Sequence, residues 1–247
     1  MPKRFKIHGS GIQGSSFNWS GYAVTAPNGT SGLFTAILGT FTVPTVDTSL
    51  PGAQYSSDWV GIGGYADSTL IQAGVEADNF NGNAIYDAWT ELLPAGEDEI
   101  PNLAVNPGDT VTATIVETAH NTWKIKIADD STGAQVVRKV HYKSSGASAE
   151  AIMERPCILR PCDEPTDLAA LAQTSEEVFD PVLTATSAPS TSPDFEPLLT
   201  APAGSSLQYI VMDDNSGVDA IATPSNANTE GDGFSVADGD SQPDPPN

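Results

Sequence analysis

Three histidines, two cysteines and a large population of carboxylates are the groups in this chain from which chemistry could be built. His8, His120 and His141 show no metal-ligand spacing, and no Ser or Cys sits in a recognisable nucleophile-elbow or triad context. Cys157 and Cys162 are the only cysteines, with four residues between them. That spacing suits a small surface loop closed by a disulfide worth roughly 2 kcal/mol, and with no further Cys or His nearby it makes a poor zinc site. Gly9-Ser10-Gly11-Ile12-Gln13-Gly14 has the letters of a dinucleotide loop but lacks the preceding strand and following helix that would make it one. Asp47-Thr48-Ser49 echoes an aspartic-protease loop, yet it lies between Pro44 and Pro51 without a leading apolar strand or a second copy. No metal and no cofactor is therefore expected.

The charge balance narrows the setting. The 247 residues hold 32 Asp and Glu against 10 Lys and Arg, a formal charge of −22 at neutral pH. Phosphate binding needs clustered bases, so nucleic acid and anionic membrane are excluded as expected partners. Carboxyls with ordinary pKa values of roughly 4 lose most of their charge near pH 3. Only the few bases and 3 His then remain to repel one another, so the chain suits an acidic medium; plain solubility is the competing reading. No run of 18 apolar residues occurs, and nothing is expected to span a membrane. Met1-Pro2-Lys3-Arg4 leads into Phe5-Lys6-Ile7-His8 without an apolar core behind it, so no signal peptide is read.

The elements that must position any site are strands. Trp123, Ile125 and Ile127 alternate with Lys124 and Lys126, and Val111, Ala113 and Ile115 alternate with threonines. Further strand-like runs fall at 22–25, 33–43, 58–62, 70–75, 85–93, 136–142, 149–153, 179–186 and 207–212. Turn chemistry separates them, as at Pro27-Asn28-Gly29, Asn81-Gly82-Asn83 and Asn106-Pro107-Gly108-Asp109. Many short strands without interleaved amphipathic helices predict an all-β, antiparallel sandwich or barrel. A short helix is expected at 166–173, a long Ser/Thr/Pro-rich loop at 187–202, and disorder in the acidic, Pro-rich tail 238–247. The domain reading is a flexible segment 1–17, a sandwich at 18–237 and that tail. Asn18-Trp19-Ser20 and Asn28-Gly29-Thr30 are formal glycosylation acceptors, the second at a plausible turn.

Several segments stand out as an ordered set: Asn18-Trp19-Ser20-Gly21-Tyr22, Gly39-Thr40-Phe41-Thr42-Val43-Pro44, Trp59-Val60-Gly61-Ile62-Gly63, Ile71-Gln72-Ala73-Gly74-Val75, Tyr86-Asp87-Ala88-Trp89-Thr90-Glu91 and Ser148-Ala149-Glu150-Ala151-Ile152-Met153-Glu154-Arg155-Pro156. In this order they resemble the glutamic peptidases (eqolisins), acid endopeptidases of fungi and also of bacteria, and the chain reads as a bacterial-type member. The resemblance runs from about Asn18 to Val236 and is strongest before Pro156.

The resemblance implies a two-sheet antiparallel β-sandwich of jelly-roll or concanavalin-like type, whose curved inner sheet forms a substrate cleft. It places the catalytic glutamine at Gln72 and the catalytic glutamate at Glu150. It further implies a secreted, extracellular, monomeric enzyme acting on polypeptide substrate. Trp19, Trp59 and Trp89 are candidate cleft walls, with ordinary sandwich core as the alternative, and Tyr86 and Glu91 are candidate flanking residues. Lys3, Arg4 and Lys6 could be the remnant of a basic prosegment or simply a terminal segment. Two positions depart from the family pattern. Ala151 stands where a tryptophan is usual, and Gly63 where several fungal members carry an aspartate.

A glutamine and a glutamate are enough for peptide hydrolysis, which needs an activated water, a stabilised oxyanion and a proton for the leaving amine. A carboxylate serves the first need and, once protonated, the third. A carboxamide offers an acceptor and two donors on one neutral group, so it does not raise its partner's pKa as a second acid would. On strand parity Gln72 shares a face with Leu70 and Gly74, and the glycine is expected to leave room for a substrate backbone. The rival from another class is a sandwich module that binds sugar or peptide without catalysis.

Overall fold

The computed structural model describes residues 13–158 and 164–247. Among them lie β1 (Gln13–Ser16), β2 (Trp19–Thr25), β3 (Ala36–Thr42), β4 (Ala53–Gln54), β5 (Ser57–Gly63) and β6 (Leu70–Phe80). Then come β7 (Asn83–Leu92), β8 (Asp98–Glu99), β9 (Thr110–Ala119), β10 (Thr122–Asp129), β11 (Ala134–His141) and β12 (Ser148–Glu154). The last are β13 (Glu177–Ala185), β14 (Glu196–Pro197), β15 (Ser206–Asp213), β16 (Ala220–Pro224) and β17 (Phe234–Asp238).

Their pairings make two layers. A front sheet runs β1·β15·β2·β12·β5·β6·β7·β8, antiparallel except at the β1–β15 edge. A back sheet runs β17·β13·β3·β9·β10·β11. β16 pairs with both β15 and β17, so the two sheets join along one side and stay open elsewhere. The fold is the all-β, antiparallel two-sheet sandwich that the alternating runs predict.

The central front strands are apolar at every other position because one face meets the back sheet. Val60 and Ile62 of β5, Ile71, Ala73 and Val75 of β6, and Ala149, Ala151 and Met153 of β12 all join the inter-sheet core. The intervening residues, among them Trp59, Leu70 and Ile152, form a second cluster on the opposite, free face of the front sheet. β5 is thus buried on both faces along its whole length.

Several local expectations change. The run 166–173 is not helical beyond a 3-10 turn at Pro165–Asp167. It runs extended instead, with bridges Cys157↔Leu168, Tyr55↔Leu171 and Val46↔Thr174. Pro156 and Tyr55 supply backbone partners for Ala169, Ala170 and Ala172, which removes the need for helical bonds. Within 187–202 the chain forms β14 and a 3-10 turn, Leu198–Thr200, that buries Leu198 and Leu199. Residues 13–16 of the segment expected to be flexible pair with β15. In the tail, Gln242 donates to the Tyr209 hydroxyl at 3.0 Å. Cys157 is disulfide-bonded, while Cys162 lies outside the described residues. Asn18 donates its side-chain N–H to Glu154, whereas Asn28 is exposed in a turn with φ of 51°. Among the described residues no helix is long and apolar enough to cross a membrane.

One polar cluster lies where the sheets meet. Asp58 of β5 and Glu177 of β13 are 2% and 0% exposed, and Asp238 at the end of β17 adds a third carboxyl. Their donors are the Ser56 and Thr174 hydroxyls on Glu177 and the Thr174 N–H on Asp238. Burial raises Asp58; burial and then the Asp58 charge raise Glu177; burial raises Asp238 to about 6. Burial likewise raises Asp78 of β6 to about 8. Folded values above the unfolded ones mean that this contribution to stability is complete below pH of about 4 and is lost as pH rises through 6 to 8. Thermal melts should therefore show the highest Tm in acid and a steep decline toward neutrality. Asp58→Asn should raise Tm at pH 7 by roughly 3–8 °C and change it little at pH 3. An unchanged pH profile in that variant would exclude the cluster as its source.

Candidate active site

Cross-strand register, more than any loop, assembles the site. Glu150 of β12 is directly opposite Gly61 of β5, and Gly61 is directly opposite Gln72 of β6. Directly paired residues point to the same side, so Glu150 and Gln72 share the free face of the front sheet, with their backbones two strand spacings, about 10 Å, apart. The row continues on both flanks, to Ala23 of β2 beside Glu150 and to Glu91 of β7 beside Gln72. The one residue between the two candidates has no side chain. A Cβ at Gly61 would lie 2.8 Å from Leu70 Cδ1 and 2.9 Å from a Trp59 ring carbon, so the glycine admits those two neighbours between the candidates.

Glu150 is 0% and Gln72 5% exposed. Gln72 Nε2 donates to Glu91 Oε2 at 2.5 Å, while Gln72 Oε1 is buried with no hydrogen-bond partner among the described residues. A buried carbonyl oxygen in that state costs free energy unless water or a ligand reaches it.

The tryptophans form the floor around this row. Trp19 and Trp59 meet edge to face, with centroids 5.1 Å apart and planes at 77°. Trp59 is 0%, Trp89 3% and Trp19 9% exposed, and all three expected wall residues pack in the free-face cluster with Leu70 and Ile152. Glu154, on the same face of β12 as Glu150, takes hydrogen bonds from Asn18 Nδ2 at 2.9 Å and Trp59 Nε1 at 2.8 Å. Burial raises its pKa to about 7 against those two bonds, and the Glu91 charge adds to the rise. Farther along β6, burial and the charges of Asp87 and Glu99 raise Glu76. This face is lined with carboxyls that hold protons in acid.

Two expectations are corrected. Tyr86 does not flank the cleft. It packs against the inter-sheet core, and its hydroxyl accepts from the Val46 N–H at 3.1 Å. The parity signal was present, since residues 86 and 91 fall on opposite faces of one regular strand. Gly74 does not open space for substrate, because a Cβ there would lie 2.1 Å from Asp58 O and 2.6 Å from Trp59 Cβ; the glycine admits the neighbouring strand. Gly61, which strand pairing brings between the two candidates, was not singled out. Its shared parity with Trp59 was the available signal.

The two departures from the family pattern are structurally distinct. Ala151 is fully buried on the core side of β12, away from the candidate pair. Gly63 has φ of 81°, and a Cβ there would lie 2.5 Å from Thr69 O. Among the described residues no group of three or more His, Cys, Asp or Glu is arranged to hold a metal ion.

With this geometry in hand, known proteins can be compared. The fold resembles scytalido-glutamic peptidase, crystallised with a transition state analog inhibitor, at a TM-score of 0.65 and 20% identity over 90% of this chain and 98% of that one. Aspergilloglutamic peptidase from Aspergillus niger gives 0.57 and 19% over 75% and 99%. At these identities the likeness defines the class of fold, the glutamic-peptidase sandwich. In sequence, the chain is 26% identical to aspergillopepsin-2 of Aspergillus niger over 168 residues, 60% of this chain and 58% of that protein. It is 26% identical to scytalidopepsin B of Scytalidium lignicola over 142 residues, 56% and 51%. The chain thus spans about half the length of the curated relatives it matches. The Peptidase A4 family model matches residues 17–194, and the chain belongs to that family.

The two glycines of β5 predict different mutational costs. Gly61→Ala meets mainly the movable ends of Leu70 and Trp59, whereas Gly63→Asp combines a left-handed φ with a backbone oxygen. Gly63→Asp should lower Tm at pH 4 by about 4–10 °C, the equivalent of roughly 2–3 kcal/mol, and Gly61→Ala by less than half as much. Equal melts would show that the backbone at residue 63 relaxes freely.

Proposed function

We propose that this protein is an acid endopeptidase that hydrolyses peptide bonds of protein substrates with Glu150 and Gln72 as its catalytic pair. The observation that carries the reading is the in-register row Glu150–Gly61–Gln72, with a buried, unpartnered Gln72 Oε1 on the same face as Glu150. A water held between these two side chains would hydrogen-bond to that oxygen and give its proton to the Glu150 carboxylate. The resulting hydroxide attacks the substrate carbonyl carbon. One Gln72 N–H is held by Glu91; the second is available to the oxyanion. Glu150 then returns the proton to the departing amine nitrogen as the C–N bond breaks.

Acid operation follows from the surroundings. Glu154, Glu76 and Asp78 lie on this face with raised pKa values, so below neutrality they are uncharged and do not repel one another across the cleft. Secretion into an acidic extracellular medium and action as a monomer complete the reading. They are supported by the 32 to 10 excess of acids over bases and by the resemblance to secreted acid peptidases.

The test is cleavage of denatured casein at pH 3.5, with and without pepstatin, an inhibitor directed at paired aspartates. Cleavage should persist with pepstatin present. Gln72→Ala and Glu150→Gln should each lower turnover at least about a hundredfold, the usual scale for losing an oxyanion donor or a positioned base. Near-normal turnover in either variant would end the mechanism. Absence of cleavage by the parent protein from pH 2 to 7 would favour a non-catalytic binding module.

A further inference from the structure

We propose that Glu91 is a positioning residue that sets which way the Gln72 carboxamide faces, acting on the reaction through Gln72 and not by contact with substrate. The inference rests on the reading of Gln72 and Glu150 as the catalytic pair. A primary amide has two orientations of nearly equal shape, differing by exchange of oxygen and nitrogen. For the mechanism above only one is useful, with the oxygen turned to hold the water shared with Glu150 and a free N–H for the oxyanion.

The structure supplies one strong constraint on that choice. Glu91 is the direct cross-strand partner of Gln72 on the side away from Gly61, and its Oε2 lies 2.5 Å from Gln72 Nε2. The Glu91 oxygen that meets the amide accepts a hydrogen bond, so it selects the nitrogen end of the amide and leaves the oxygen end on the side away from Glu91. Gln72 Oε1 makes no bond that would favour either orientation. Remove Glu91, and the amide is free to rotate and present a donor where the water needs an acceptor. Glu91 itself is held on β7 between Thr90 and Leu92, a strand paired along its full length to β6, so its backbone is fixed beside that of Gln72.

A double-mutant cycle tests this, using the full chain and a quenched fluorescent peptide at pH 3.5 under single-turnover and steady-state conditions. Glu91→Leu should lower kcat by about thirtyfold to a hundredfold, the scale of a misplaced catalytic group, with KM altered less than about threefold. Glu91→Gln, which can still offer a carbonyl oxygen to Nε2, should recover most of that loss. In a Gln72→Ala background, Glu91→Leu should cost less than about threefold more. Loss of the same factor in both backgrounds, or a rise in KM at constant kcat, would overturn the positioning role and make Glu91 a general structural or substrate-contact residue. Should Glu91→Leu fail to fold, Glu91→Ala, which also removes the acceptor, carries the same comparison, and equal loss with and without Gln72 again overturns it. If Gln72→Ala alone retains normal turnover, the catalytic pair itself falls and the positioning role with it.

Discussion

The arrangement depends on strand register. Three neighbouring strands that are far apart in sequence, β12, β5 and β6, are aligned so that Glu150, Gly61 and Gln72 fall in one row. A slip of one residue in either pairing would send one of the two polar side chains into the inter-sheet core. What fixes the register is the opposite face: Val60, Ile62, Ile71, Ala73, Ala149 and Ala151 must all reach the core together. The hydrophobic side of the front sheet therefore positions the chemistry of its free side. With apolar burial contributing roughly 25 cal/mol per Å2, it does so far more firmly than the few hydrogen bonds around Gln72 could.

That dependence explains the crowding around the site. Gly61 and Gly74 admit the ring and backbone of Trp59, and Trp59 in turn donates its N–H to Glu154. The floor under the candidate pair is thus a packed unit of indole, leucine and isoleucine with one buried acid as its polar anchor. Because protein interiors are filled nearly to crystal density, such a unit transmits displacement instead of absorbing it.

Much of the fold was legible in the chain. The alternation of Trp123, Ile125 and Ile127 with lysines, and of Val111, Ala113 and Ile115 with threonines, reads directly as β10 and β9, because one wet face leaves a period of two. The run 167–172 misled for the opposite reason. After Asp167 it is apolar at every position, so periodicity has nothing to say, and its extended state is decided by backbone partners at Tyr55 and Pro156 that local sequence does not reveal. Asp58 and Glu177 gave no sign of meeting, since 118 intervening residues separate two carboxyls that only the closure of the sandwich brings together. At the site, the residue types were readable through the ordered segments, but the spatial role of Gly61 required knowing that β5 lies between β12 and β6. Gly74 was assigned open space by parity alone, and a neighbouring tryptophan occupied it.

The inter-sheet carboxyls and those of the free face obey the same electrostatics from two sides of one sheet. Each is raised chiefly by burial, and each is neutral in the acid range. A protein built this way needs no cation beside every buried carboxyl, which accords with 10 Lys and Arg in the whole chain. It also cannot keep the same cohesion at neutral pH, because ionising Asp58 or Glu177 leaves charge between the sheets with only hydroxyls and N–H groups to meet it. Working range and folding range are then coupled by composition. Under the proposed function, acidity keeps both the cleft carboxyls and the inter-sheet carboxyls uncharged, and both sets gain charge as the pH rises toward neutrality.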